Sequence, residues 1–420
     1  MKVAVIGSGI SGLTAAHVIA RRGNEVTLYE KDGHFGGHSN TVTVAGERGE
    51  IGVDTGFIVH NRRTYPHLIR LFDELGVATQ ESDMSFGVRC DDCGLEYAGA
   101  RGVRGMLATP GSLTKPSYLR MLTEVRRFHQ HARRVLLDPA ADRMSLGDFL
   151  DEGGYSDYCR DHFVLPLTGA IWSSSPTQMY EFPARYLIRF FANHGMLTVR
   201  HAPRWRTVTG GSRVYVRAIL GQLGAGALGE TPAVSVQRTA DGVVVGDANG
   251  RERRFDGVVI ATHADQALRL LSDPSEAERE VLSRFHYSAN ETVLHTDGSI
   301  LPRSSGARAS WNYLLDACSA TQPPPVHVTY HMNRLQALDE PIDYCVTLNH
   351  TKRICPESEL RRFAYEHPVY TADALDAQRL LPGLSGPRDT AFCGAYHGWG
   401  FHEDGCVSGI RAALALGFAW

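Results

Sequence analysis

Residues 3–6, Val-Ala-Val-Ile, form a short all-apolar run, as expected of a central parallel strand buried on both faces. The run leads directly into Gly7-Ser8-Gly9-Ile10-Ser11-Gly12. Beyond it, Leu13, Ala16 and Ile19/Ala20 repeat at helical spacing, and Gly23 is placed as a stop. A second strand, Val26-Thr27-Leu28-Tyr29, ends in Glu30. This order of strand, glycine turn, helix, strand and acid specifies a dinucleotide site. Gly7 permits the tight turn, Gly9 lets backbone approach a pyrophosphate, and Gly12 lets helix and strand pack closely. The helix N-terminus stabilises phosphate charge, and Glu30 stands where an acid binds ribose hydroxyls. A second GxGxxG, at residues 224–229, follows a helical stretch, has no helix behind it and reads as a helix-terminating loop.

The 420 residues suggest two or three domains, at roughly 150 residues each, or one large α/β unit with an insertion. Charged residues are 21% and the net charge is −3, so no global field recruits nucleic acid, and none is expected as a partner. The chain opens on a strand and no run of 18 apolar residues occurs, which predicts a cytoplasmic protein without a signal peptide or membrane span. Eight cysteines are sparse and read as reduced thiols. Cys90 and Cys93 form a CxxC, but no second pair sits at zinc-ribbon spacing, and no metal is expected.

Lys31-Asp32-Gly33-His34-Phe35-Gly36-Gly37-His38 places a second glycine turn just past Glu30, where backbone amides can meet a cofactor longer than NAD. A hairpin of residues 41–44 and 51–53 follows and leads to Asp54-Thr55-Gly56-Phe57. The glycine fingerprint, Glu30, Gly36-Gly37 and Asp54-x-Gly56 resemble the FAD-binding start of the flavin amine oxidase superfamily. Residues 256–262 resemble that superfamily's return to the FAD domain. Residues 392–395 and 405–409 resemble its C-terminal flavin motif, where a helix N-terminus faces the flavin pyrimidine end. Two positions depart from the pattern: His34 and His38 stand where arginines are usual, and Ala395 where an acid is usual. A bacterial family of NAD/FAD-binding proteins is a closer match, through segments such as GGHSNTV, VDTGFIVHNRRTYP and GFHEDG. That family is associated with modification of lipid acyl chains.

The resemblance implies an α/β fold: a Rossmann-type, glutathione-reductase-like FAD domain with an inserted α+β substrate domain. The FAD domain is expected from residues 1–60, 204–275 and 385–420, and the substrate domain from 61–203 and 276–384. Periodicity predicts helices over 65–75, 112–137 and 146–152, and strands over 233–236, 243–245, 326–330 and 345–348. The cofactor contacts implied are Gly7, Gly9, Ile10, Ser11, Gly12, Glu30, Lys31, Gly36, Gly37, His38, Asp54, Thr55, Gly56, Val236, Ala261, Thr262, Gly394, Gly405, Cys406 and Val407. FAD is expected to be non-covalent, although Cys393 and Cys406 lie near the flavin motif.

In the resembled superfamily the stretch before the last helix passes the flavin, which makes His397, Trp399 and His402 the catalytic candidates. With Glu403 and Asp404 they do not amount to a metal ligand set. Trp172, Trp205 and Tyr330 are candidates for a substrate cavity, with core packing as the other reading of the tryptophans. Gly210-Gly211 is expected near the flavin. Residues 115–134 carry Lys115, Arg120, Arg126, Arg127, Arg133 and Arg134 against Glu124, with Leu119, Leu122, Val125 and Phe128 interleaved. A solvated helix face and peripheral docking on an anionic membrane both fit. The expected function is hydride removal from a hydrophobic substrate such as a lipid acyl chain, with the C–H held about 3.5 Å from flavin N5 and water excluded. The alternatives are an amine oxidase, disfavoured by the scarcity of lysine (Lys2, Lys31, Lys115 and Lys352), a non-redox double-bond isomerase, and a non-enzymatic FAD-binding subunit.

Overall fold

A computed structural model describes residues 1–172, 176–197, 203–318 and 326–420. The serines of LTGAIWSSSP lie outside these residues.

Alternation along the first strand sets up two layers. In β1 (Lys2–Ile6), Val3 and Val5 face one apolar cluster, and Ala4 and Ile6 face another. A strand buried on both faces sits at the centre of a parallel sheet. Here the order is β3-β2-β1-β4-β5, all parallel, with β2 Glu25–Tyr29, β3 Ala227–Leu228, β4 Gly257–Ile260 and β5 Thr390–Phe392. Helices α1 (Ile10–Arg21), α2 (Pro66–Leu75), α4 (Arg213–Leu223) and α5 (His402–Ala415) contribute to the cluster on one face. An antiparallel three-stranded sheet of Ala233–Thr239, Gly242–Asp247 and Glu252–Phe255 covers the other. The 224–229 glycines do end a helix, as expected, but they then deliver β3 to the sheet edge beside β2.

A seven-stranded sheet forms the second body. Its order is Glu359–Val369, His286–His295, Cys345–Leu348, Val328–His331, Trp311–Leu315, Phe86–Cys90 and Glu96–Tyr97. The strand expected over 326–330 begins two residues later, at Val328. Helices between residues 102 and 193 pack against this sheet, the longest being α3 (Pro116–Leu137).

The buried stripe of α3 is Tyr118, Met121, Phe128, Ala132 and Val135. The expected stripe was different: Leu119 is exposed, and Leu122 and Val125 are half-buried. The basic face is largely committed internally. Lys115 donates to the Cys93 carbonyl, Arg120 pairs with Glu124, Arg127 donates to the Gly154 carbonyl, and Arg133 donates to the Leu197 carbonyl. Among the described residues, Arg126 and Arg134 remain without such partners.

Helices α1 and α5 meet through glycine. A Cβ on Gly409 would lie 2.2 Å from the Ser11 carbonyl oxygen, and one on Gly405 would lie 2.6 Å from Ile10. Gly409→Val should therefore cost about 1–3 kcal/mol by overpacking, read as a lower thermal midpoint, whereas Gly221→Ala, on an open face of α4, should not lower it and should raise it slightly, since Ala is the better helix former by roughly 0.5–1 kcal/mol.

Candidate cofactor and active site

The loop between β1 and α1 is built as backbone against backbone. Gly7 has φ +101°, and a Cβ there would sit 2.7 Å from the Ala261 carbonyl oxygen. A Cβ on Gly12 would sit 1.9 Å from the Gly7 carbonyl oxygen. At Gly9, by contrast, a Cβ meets nothing within 4 Å. The loop is closed underneath and open above Gly9, where a pyrophosphate would rest on the N-terminus of α1.

Ser8 ties this loop to the second glycine turn. Its hydroxyl donates to Glu30 at 2.5 Å and accepts from the Gly36 amide at 3.0 Å, while its own amide donates to Glu30 at 3.1 Å. Gly36 and Gly37 have φ of +118° and +57°, and a Cβ on Gly37 would come within 3.3 Å of the Gly9 Cα. Lys31 is exposed at the rim. Glu30 is held in place at the strand end by Ser8 and by the Asp32 amide.

Several expected contacts take other roles. The buried Asp54 accepts from Thr41 Oγ1, from the Ser212 amide and hydroxyl, and from Gln336. It joins the hairpin to the Gly210-Gly211 turn, and burial lifts its carboxyl to about 6. Thr55 shares a hydrogen bond with Tyr365, and Gly56 is required because a Cβ would meet the His38 carbonyl oxygen at 2.3 Å. The Val236 side chain belongs to the apolar core, with Val243 and Val245, so only its backbone could face a cofactor. Gly405 and Cys406 serve the α1–α5 contact and core rather than presenting side chains to a ligand. The thiols of Cys393 and Cys406 are fully buried and pushed up by burial, Cys393 to about 12, so neither forms a thiolate readily. Ile10 and Ser11 are buried at the start of α1, Ala261 and Thr262 follow β4, and the Gly394 amide donates to Ser408. Val407 is half-buried in α5.

Above this cradle lies a wall of imidazole and aromatic rings. His38 stacks on Tyr365 at 4.7 Å and lies 5.3 Å from His367. His402, at the first position of α5, stacks on Phe57 at 3.7 Å and shares a hydrogen bond with Ser39 at 2.8 Å. The stacking and the hydrogen bond fix its ring in place. Burial holds His397 and His402 near pKa 3, His60 and His367 near 4, and His38 well below its ordinary value. All five are neutral at physiological pH. Asp404 accepts from the Phe401 amide, and burial raises it to about 7.

His38 Nε2, His397 Nε2 and Trp399 Nε1 are buried polar atoms with no protein partner. Such atoms are rare unless a ligand or water completes them. Together with the open face at Gly9, they fit a flavin dinucleotide.

Trp172 does not line a cavity. It is 4% exposed, packs on Phe182 and Phe190, and donates through Nε1 to the Trp399 carbonyl. It supports the wall from behind. Trp205 is half-buried beside Tyr65 and His194, and Tyr330 is half-buried edge-on to Trp311. The His38 partners Tyr365 and His367 escaped the sequence reading. Their signal was the period-two alternation of Phe363, Tyr365 and His367 on the Glu359–Val369 strand.

A parallel sheet with this glycine cradle, a second glycine turn and a separate mixed sheet define the two-body fold of flavin-dependent amine oxidases. The chain belongs to the flavin containing amine oxidoreductase family, whose pattern matches residues 10–416. AofH of Mycobacterium tuberculosis, whose name places it among flavin-containing monoamine oxidases, is 27% identical over 287 residues, 65% of this chain and 59% of that protein. The match thus spans about three-fifths of that relative's length. Cyclohexylamine oxidase from Brevibacterium oxydans IH-35A superposes with a TM-score of 0.70 at 17% identity, covering 99% of this chain and 98% of that one. A CLA-producing fatty acid isomerase from P. acnes superposes with a TM-score of 0.68 at 17% identity, covering 97% and 96%.

Gly9→Val should fold normally, since its side chain meets only open space, yet purify without flavin; the visible absorbance spectrum measures this. A second expectation concerns pH. Each wall histidine has a folded pKa below the unfolded value near 6.5, so the unfolded chain takes up the proton first. The histidine contribution should be full above about pH 7 and fall as pH drops below 6.5, by up to about 1.4 kcal/mol per pH unit for each histidine, while the raised carboxyls of Asp54 and Asp404 act in the opposite direction over the same window. His397→Gln should remove one such contribution and flatten the plot of thermal midpoint against pH.

Proposed function

We propose that this protein is an FAD-dependent oxidoreductase acting on an uncharged, hydrophobic substrate, with a lipid acyl chain as the substrate class. The observation that carries this reading is a set of unprotonated imidazoles: burial keeps His38, His60, His367 and His402 neutral beside Phe57 and Tyr365, and does the same to His397 in the segment before α5. Lysine takes no part in it. Lys2 pairs with Glu25, Lys115 is engaged at Cys93, and Lys31 and Lys352 are exposed.

The chain's own residues would divide the work as follows. The Gly9 backbone and the α1 N-terminus hold the diphosphate. Glu30, preset by Ser8, accepts from ribose hydroxyls. The N-terminus of α5 favours negative charge beside it. His397 Nε2 and Trp399 Nε1 are the polar atoms free to orient a bound ring or substrate. The aromatic residues behind them exclude water. FAD, when bound, supplies a two-electron acceptor for hydride from a C–H bond. The buried, protonated thiols of Cys393 and Cys406 favour non-covalent attachment.

Under anaerobic conditions, fatty acids or phospholipids with suitable acyl chains should bleach the flavin absorbance, and polyamines and monoamines should not. Bleaching by amines alone would overturn the acyl-chain reading in favour of an amine oxidase. A product formed without an external acceptor would mark an isomerase, and no bleaching by any substrate a binding subunit. Membrane docking through α3 is part of the same proposal. Because Arg127 is engaged internally, Arg126→Glu with Arg134→Glu is the informative pair. It should weaken cosedimentation with anionic vesicles by about 1 kcal/mol per residue at low salt without lowering flavin content.

A further inference from the structure

Four metal-binding side chains converge outside the cofactor site, at the far edge of the seven-stranded sheet. Cys90 ends the Phe86–Cys90 strand, and Cys93 follows in a turn closed by Gly94 at φ +65°. Cys318 lies just past the Trp311–Leu315 strand, which pairs in parallel with Phe86–Cys90. His162 comes from the helical layer, in a π-helical turn over Arg160–Val164. The three sulfurs and the imidazole nitrogen all lie within 4.8 Å of one another. Cys90 Sγ and Cys318 Sγ are 3.7 Å apart, and Cys93 Sγ and His162 Nε2 are 3.7 Å apart.

We propose that Cys90, Cys93, His162 and Cys318 form a structural zinc site that fastens the helical layer to the edge of the sheet. Tetrahedral zinc with Zn–S near 2.3 Å and Zn–N near 2.0–2.1 Å places neighbouring ligand atoms roughly 3.6–3.8 Å apart, the spacing of the Cys90–Cys318 and Cys93–His162 pairs, with all four atoms within 4.8 Å of one another. A disulfide requires sulfurs about 2.05 Å apart, and three sulfurs could in any case form only one.

The surroundings are those of a metal site. His162 Nδ1 lies 3.1 Å from the Tyr158 carbonyl, so Nδ1–H donates there and Nε2 is left with its lone pair toward the cysteines. The ring is stacked on Tyr158 at 4.0 Å, whose hydroxyl reaches Cys93 Sγ at 3.8 Å. The Cys318 amide donates to Asp92 at 3.1 Å, which fixes that segment against the CxxC turn. His162 is 0% exposed, and π-helical turns occur frequently at functional sites. Four protein ligands leave no open position, which makes the site structural rather than catalytic. Three thiolates and an imidazole also select zinc over the harder divalent ions. Binding displaces the thiol protons of the three cysteines to solvent and leaves the cluster with a net charge of −1.

Full-length holoprotein purified without chelators should contain about one zinc per chain. Cys93→Ser with Cys318→Ser should reduce that to below about a tenth while flavin stays bound, since the cofactor cradle uses none of these side chains. Asp316→Asn should keep its zinc, which separates this site from the nearby Asp316, His327 and His350. If the cysteine variant fails to fold, wild-type protein answers the question. Zinc release should track mercurial blocking of three thiols, and cobalt substitution should give the intense d–d bands of a tetrahedral thiolate site, at wavelengths beyond the flavin. Zinc-free wild type with full flavin, a Cys90–Cys318 disulfide by mass spectrometry, or zinc retained in the cysteine variant would each overturn the assignment.

Discussion

The approach of α1 to the strand before it and the helix beside it is the constraint from which the rest of the site follows. Gly12 lies on the carbonyl of Gly7, and Gly409 on the carbonyl of Ser11. Because these contacts are between backbones, no side chain can stand in for them, and each glycine is dictated by space. The first contact aims the N-terminus of α1 at the open face of Gly9. The second fixes α5, whose first residues are His402, Glu403 and Asp404. Glu403 in turn accepts from the amides of His67 and Leu68 and so caps α2. One set of glycine contacts therefore positions three helix N-termini.

Burial governs the chemistry of the cavity as strongly as it governs packing. Moving an imidazolium or a carboxylate from water into such a wall costs several kcal/mol unless it is paired, so the groups there become neutral instead. The histidines do so by falling below their ordinary pKa, whereas Asp404, raised to about 7, is only part-protonated at neutral pH. A charge that remains buried elsewhere is paired: Arg238, on the Ala233–Thr239 strand of the antiparallel sheet, is held by Glu278 and Asp273. The cluster of Cys90, Cys93, His162 and Cys318 stands apart from this cavity, where the sheet edge meets a helical layer that is also held by the Tyr97 hydroxyl on the His162 carbonyl.

The glycine fingerprint and its flanking strand, helix and acid were legible because each residue type answers a local backbone requirement. The helix ending at Gly76 was legible for the same reason, since Gly76 adopts φ +69°. Asp54 was harder. Its position beside Gly56 marked it, but its partners Ser212 and Gln336 come from distant segments, so its role as a strut could not be read from its neighbours. Trp172 had two readings, cavity lining and core packing; the fold decides for packing, and only the folded chain shows that the Trp399 carbonyl receives its N–H.

Sequence alone determined the dinucleotide cradle, the alternation that buries β1 on both faces, and the family resemblance, because these depend on residues within a few positions of one another. Tertiary structure decided which rings face the cavity, which of the α3 cations are spent inside, and that a lone CxxC is completed by His162 and Cys318, 69 and 228 positions away from its two cysteines. Loops that long leave no periodicity in the chain. Their ends meet only because strand pairing and helix packing bring them together, and no local propensity records that meeting.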